Sequence, residues 1–147
     1  MKLGSQALEF TLPDQDGQPY SLMSNLGRNG TVVFFYPKDH SGVCTAQACA
    51  FRDQYAVFKE NGAVVIGISG DSQESHRSFS SQHRLPYPIL SDADGAVRKL
   101  WGVPKKLGLV PGRVTYVLDG KGIVIGIHDD ILHAEPHIAE ALKALNL

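Results

Sequence analysis

The stretch Thr31-Val-Val-Phe-Phe-Tyr36 constrains the fold more than any other part of this chain. Its β-branched and aromatic residues favour extended backbone. Apolar side chains fall on both faces, the pattern of a central strand covered by helices on each side. Pro37 ends the run, because proline has no N–H to give to a sheet ladder. A strand buried on both faces needs a sizeable core around it, and 147 residues can supply one without staples. No repeat, low-complexity tract or linker divides the chain, so residues 1–147 read as one domain.

The remaining segments supply partners for that strand. Leu8 to Leu22 places Asp16-Gly17 between short alternating segments and reads as an amino-terminal β-hairpin. After a loop from Lys38 to Val43, a helix is expected through Glu60, with Phe51, Tyr55 and Phe58 on one buried stripe. Asn61-Gly62 ends it, and Ala63 to Ser69 is a second buried strand. Asp71 with Glu74 resembles a capping box opening a helix to about His83. A short strand at Pro88 to Leu90 and a helix over Asp94 to Trp101 follow. Thr115 to Leu118 and Ile123 to His128 form an antiparallel hairpin, and a last helix covers Pro136 to Leu145. The pattern is that of an α/β fold.

Charge narrows the choice of partner. A formal net charge of -1 and a pI near 6.6 leave no strong field for nucleic acid or an anionic membrane. The longest apolar run, Ala63 to Ile68, is far too short to span a bilayer. The start, MKLGSQALEF, lacks the pattern of a signal peptide. The expected location is the cytoplasm, with an organelle lumen as the alternative where a transit peptide has been removed.

The chemistry concentrates at the only two cysteines, Cys44 and Cys49. Five residues apart, they would close almost no loop, so a stabilising disulfide explains them poorly. Cys44 falls in the first turn of a helix after a buried strand. Unpaired backbone N–H groups there favour an anion, and the thiolate is the reactive form of cysteine. The alternative, a cysteine acting as a small buried hydrophobe, fits this loop position poorly. Along a helix, residue 49 stands about 140° beyond one turn and about 7.5 Å further on. A disulfide needs Cα atoms within roughly 7 Å and converging Cβ vectors. The pair can therefore bond only if the first turns unwind.

This stretch resembles the peroxiredoxin active site, in which a Pro precedes a Ser or Thr by four residues and the peroxidatic Cys by seven; here these are Pro37, Ser41 and Cys44. The words YPKD and CTAQACAFRD, and the five-residue offset to Cys49, are similar to the Q-type (bacterioferritin-comigratory) subfamily. Leu109-Val-Pro-Gly-Arg-Val-Thr-Tyr-Val-Leu-Asp119 resembles the family segment that supplies an Arg, here Arg113. The sequence departs from the subfamily where Gly42-Val43 replaces the usual Pro-Gly. The resemblance implies a thioredoxin-like fold, a central mixed sheet flanked by helices, with the hairpin added at the amino terminus. It implies a cofactor-free thiol peroxidase acting on hydrogen peroxide and alkyl hydroperoxides. Cys44 would attack the peroxide and become a sulfenic acid. Arg113 would stabilise the developing charge, the Ser41 hydroxyl would accept from the peroxide while donating to sulfur, and Pro37 would shield the site. A Cys44–Cys49 disulfide would follow, reduced by thioredoxin or a similar dithiol protein. The subfamily implies a monomer.

Other signals are weaker. His133 and His137 are four apart but separated by Pro136, and no Cys/His spacing matches a zinc pattern, so no metal site is expected. His128, Asp129 and Asp130 read as a solvated turn, His40 as a loop residue facing water, and Trp101 with Val103 as packing. Gly67-Ile-Ser-Gly70 is too sparse for a dinucleotide fingerprint. Two rival functions use the same thiols. One is a thiol–disulfide oxidoreductase, for which C-x₄-C is the wrong spacing. The other is a peroxide sensor that relays oxidation to a partner.

Overall fold

The computed structural model describes residues 1–106 and 110–147. Leu109, which opens the segment leading to Arg113, lies outside the described residues. In chain order the elements are β1 (Thr11–Pro13), β2 (Pro19–Ser21), β3 (Gly30–Phe35), α1 (Gly42–Asp53), α2 (Tyr55–Glu60), β4 (Ala63–Ser69) and α3 (Gln73–His83). There follow β5 (Ile89–Ser91), α4 (Ala96–Trp101), β6 (Lys105–Lys106), β7 (Val110–Pro111), β8 (Val114–Leu118), β9 (Val124–Asp129) and α5 (Glu135–Ala144). No helix among the described residues is long and apolar enough to cross a membrane.

β3 takes the central place that its two apolar faces demand. The main sheet runs β5-β4-β3-β8-β9, with β4 parallel to β3 and to β5, and β8 antiparallel to β3 and to β9. The β1–β2 hairpin stands apart as its own antiparallel pair. Alternation along β3 splits the core into two layers. Val32, Phe34 and Tyr36 join Cys44, Ala48, Phe51 and Phe58 on one face. Val33 and Phe35 join Trp101, Tyr116 and Phe10 on the other. Phe34 stacks on Phe51 with ring centroids 4.7 Å apart, so the base of α1 is tied directly to the central strand. Trp101 lies edge-on to Tyr116 in the second layer and, as its packing role implies, away from Cys44.

Four expectations are corrected. The helix expected to run through Glu60 breaks at Gln54, whose N–H still bonds to Ala50 but whose φ of -99 and ψ of 3 leave the helical path. The break lets α2 lie along β4 and bury Phe58, while Phe51 stays beneath β3; Tyr55 is only half-buried. The first helix also begins two residues earlier than expected, at Gly42, because Ser41 is already its extended N-cap residue. The cap of α3 is Ser72, whose hydroxyl accepts from the Ser75 N–H; the Asp71 carboxylate is taken up by tertiary bonds. Finally, the strand expected to end at His128 runs on to Asp129, so His128 and Asp129 do not form a solvated turn, because Asp129 pairs with Val114.

Candidate active site

Three chain segments converge on the Cys44 sulfur. β3 delivers Tyr36 to the sheet end, where its N–H bonds to Ile68. Pro37 to Ser41 then turn the chain into α1, whose third residue is Cys44. The backbone N–H groups of this first turn have no partners earlier in the helix and carry partial positive charge. The Cys44 side chain is 1% exposed, within the core layer that holds Phe34 and Phe51.

Arg113 enters immediately before β8 and is also buried, at 2% exposed. One terminal guanidinium nitrogen donates to Cys44 Sγ at 3.2 Å, the other to Gln47 Oε1 at 2.6 Å, and Nε to the Ile131 carbonyl at 3.1 Å. A planar guanidinium fixed at three points cannot swing away from the sulfur. Gln47 lies three residues beyond Cys44, so both side chains stand on the same helical face.

A second arginine braces the frame. Arg98 of α4 donates to the Gly112 carbonyl at 2.9 Å and to the Tyr36 carbonyl at 3.0 Å, and sits over the Phe35 ring. It thus ties the residue before Pro37 to the residue before Arg113. Burial pulls its guanidinium below the ordinary value, against the opposing pull of Asp92 and Cys44. Gly112 runs so close to the Pro104 carbonyl oxygen that any side chain there would displace the strand carrying Arg113.

The other expected site residues are placed less tightly. Ser41 is half-buried, and its hydroxyl donates to the Lys38 carbonyl at 3.0 Å instead of to sulfur. Its lone pairs stay available to accept. Pro37 is half-buried at the end of the strand segment. Cys49 is half-buried, and both cysteines are free thiols on an unbroken α1. Sequence reasoning missed Gln47 and Arg98. The spacing of Gln47 from Cys44 could have suggested the first. Nothing in the AVRKLW run marks Arg98, because its role arises from the tertiary fold.

The histidines find other employment. His133 is exposed and bonds to Asp130, whereas His137 is buried between Thr115 and the Asp130 carbonyl. His40 is exposed, with its ring edge against Phe79.

Residues 3–127 match the AhpC/TSA family. Over 143 residues the chain is 52% identical to a chloroplastic peroxiredoxin Q of Sedum lineare, covering 97% of this chain and 76% of that one. The chloroplastic peroxiredoxin Q of Arabidopsis thaliana is also 52% identical, with 97% of this chain and 66% of that one covered. Among solved structures, the peroxidoxin BcpB of Mycobacterium tuberculosis superposes with a TM-score of 0.91 at 36% identity, covering 99% and 97% of the two chains. A Xanthomonas campestris bacterioferritin comigratory protein, studied for alkyl peroxide reduction, gives 0.85 at 29% identity, covering 93% and 90%.

Proposed function

The chain belongs to the AhpC/TSA family and is a peroxiredoxin, a thiol peroxidase, and on that premise we propose that Cys44 is its peroxidatic thiol and Cys49 its resolving thiol. The observation that carries the assignment is the buried 3.2 Å bond from Arg113 to Cys44 Sγ. A cation held by Gln47 and the Ile131 carbonyl favours the thiolate and stabilises charge on the departing oxygen.

The thiolate attacks the terminal oxygen of a hydroperoxide. The O–O bond breaks, the sulfur becomes a sulfenic acid, and the other oxygen leaves and is protonated to water or an alcohol. With its O–H donated to the Lys38 carbonyl, the Ser41 oxygen accepts from the peroxide O–H. The unpaired N–H groups of the first turn help to receive the peroxide, while Pro37 offers no competing donor. A shallow, largely apolar groove of about 410 Å³ flanks this turn; its lining includes Gly42, Val43, Ala46, Leu132 and Pro136 as well as His133 and Glu135, and it suits the alkyl group of an organic hydroperoxide. Val43 thus widens substrate choice toward apolar peroxides.

Cys49 then attacks the sulfenic acid, expelling water and forming a disulfide. Five positions apart on an intact helix, the two sulfurs meet only after the first turns of α1 unwind. Peroxiredoxins consume a peroxide and a thiol reductant; the reductant proposed here is a dithiol protein of the thioredoxin type, acting on a monomer whose residues 1–147 form one domain. The chloroplastic names of the plant relatives favour an organelle lumen over the cytoplasm.

The test is peroxide consumption with thioredoxin, its reductase and NADPH. Cys44→Ser should abolish turnover, and Cys49→Ser should consume one peroxide per chain and stop. Sustained turnover by Cys44→Ser would overturn the assignment.

A further inference from the structure

Behind the peroxidatic loop lies a buried polar cluster that the chemistry above does not use. Asp39, within that loop, is 3% exposed, and His76 of α3 is fully buried. The Asp39 carboxylate accepts from Tyr36 Oη at 2.6 Å, from Ser75 Oγ at 2.9 Å and from His76 Nδ1 at 2.6 Å. The second ring nitrogen of His76 faces the Leu90 carbonyl at 3.0 Å. Both ring nitrogens thus have a hydrogen-bond partner. The Asp39 backbone N–H is held in turn by Asp71 Oδ2 at 2.8 Å, and Asp71 also takes the Ser69 hydroxyl. Asp39, Asp71 and His76 stand close enough to suggest a metal site. Their facing atoms are instead engaged with N–H and O–H donors or a carbonyl, so the cluster is a hydrogen-bonded network.

We propose that Asp39 and His76 form a positioning pair: the buried Asp39–His76 bond latches the loop between β3 and α1 onto α3 and β5, setting Cys44 against Arg113 and opposing the unwinding that lets Cys49 reach it. The inference rests on the assignment of Cys44 and Cys49 made above. Asp39 is anchored through both its backbone and its carboxylate, five residues before Cys44. The next residue, His40, has φ of 64, a left-handed conformation uncommon for a residue other than glycine. Ser41 follows as the N-cap. The loop is therefore held at an anchored residue followed by a disfavoured one, an arrangement that persists only while its surroundings enforce it. Loosening the latch should act with opposite sign on the two chemical steps. Oxidation of Cys44 slows because the thiol is poorly placed, and disulfide formation quickens because unwinding is easier.

The experiment measures both steps separately by rapid mixing, with oxidation followed at limiting hydrogen peroxide and disulfide formation followed by acid-quenched thiol labelling. His76→Ala should lower the oxidation rate at least tenfold, equivalent to about 1.4 kcal/mol, and should raise the rate of disulfide formation. His76→Asn, which can keep a donor toward Asp39, should restore both rates to within about threefold of wild type. Should His76→Ala fail to fold, Asp39→Asn, nearly equal in volume, must show the same opposed changes. Equal slowing of both steps, or unchanged rates in the variant that folds, would overturn the latch. The thiol assignment fails separately, through peroxide turnover by Cys44→Ser.

Discussion

His137 sits fully buried between the sheet and the loop that steadies Arg113. Its Nε2 donates to the Asp130 carbonyl at 2.7 Å, and its Nδ1 accepts from the Thr115 hydroxyl at 2.8 Å, which defines a neutral ring. Burial pulls the ring from 6.5 down to about 4, opposed by the Asp130 bond and reinforced by the neighbouring His128 and Arg113. The unfolded chain gains a proton at this residue below about 6.5, whereas the folded chain does so only near the lower value. Stability associated with His137 is therefore fully present above the unfolded value and drains away as pH falls through that interval. Below it both states are protonated and the loss stops. At about 1.4 kcal/mol per pH unit, the gap is worth about 3 kcal/mol. Urea unfolding of wild type and His137→Asn at a series of pH values isolates this contribution, since other titrating groups are common to both proteins. The wild-type advantage should shrink by about 3 kcal/mol between pH 7.5 and pH 4. A difference independent of pH would refute the buried neutral ring. Because Asp130 and Ile131 are adjacent, and Ile131 holds Arg113 Nε, oxidation of Cys44 should weaken only as pH approaches about 4, where the folded ring itself takes up a proton.

Two further outcomes test the frame around the thiol. Arg113→Lys keeps the charge but cannot hold the three-point arrangement, so the second-order rate of Cys44 oxidation should fall about 100-fold in stopped-flow measurements; a change under threefold would show that charge alone suffices. Phe51→Ala removes the ring stacked on Phe34 and should reduce unfolding free energy by about 3–5 kcal/mol in urea titrations, with a loss under 1 kcal/mol contradicting its place in the core.

The sequence carried the frame where local chemistry and tertiary need coincide. A β3 with apolar side chains on both faces pointed to a central place in the sheet, and Cys44 could be placed in a first helical turn from the strand and Pro37 before it. Arg113 was legible only by resemblance, since an arginine before a strand has no signature of its own. The break at Gln54 was not legible, because Phe51, Tyr55 and Phe58 satisfy one continuous stripe and only the path of β4 requires the chain to bend. Asp71 presented as a cap because its carboxylate precedes a helix, yet the backbone of Asp39, 32 residues earlier, claims it. Arg98 acts through carbonyls from Tyr36 and Gly112, and Ser41 through that of Lys38; backbone acceptors leave no trace in side-chain patterns.

Cys44, the proposed peroxidatic residue, shares a core layer with Phe34 and Phe51, so the atom assigned to the chemistry is also part of what holds the protein together. On the proposed mechanism, every catalytic cycle must withdraw a piece of the interior before Cys49 can resolve Cys44. Mutations that tighten this layer would raise the melting temperature and prolong the life of the sulfenic acid. A longer-lived sulfenic acid meets a second peroxide more often and proceeds to the sulfinic state, which no simple thiol reverses. The firmness of the interior therefore sets the peroxide concentration at which the enzyme inactivates itself. Selection for endurance under oxidative load would act against the most rigid core available.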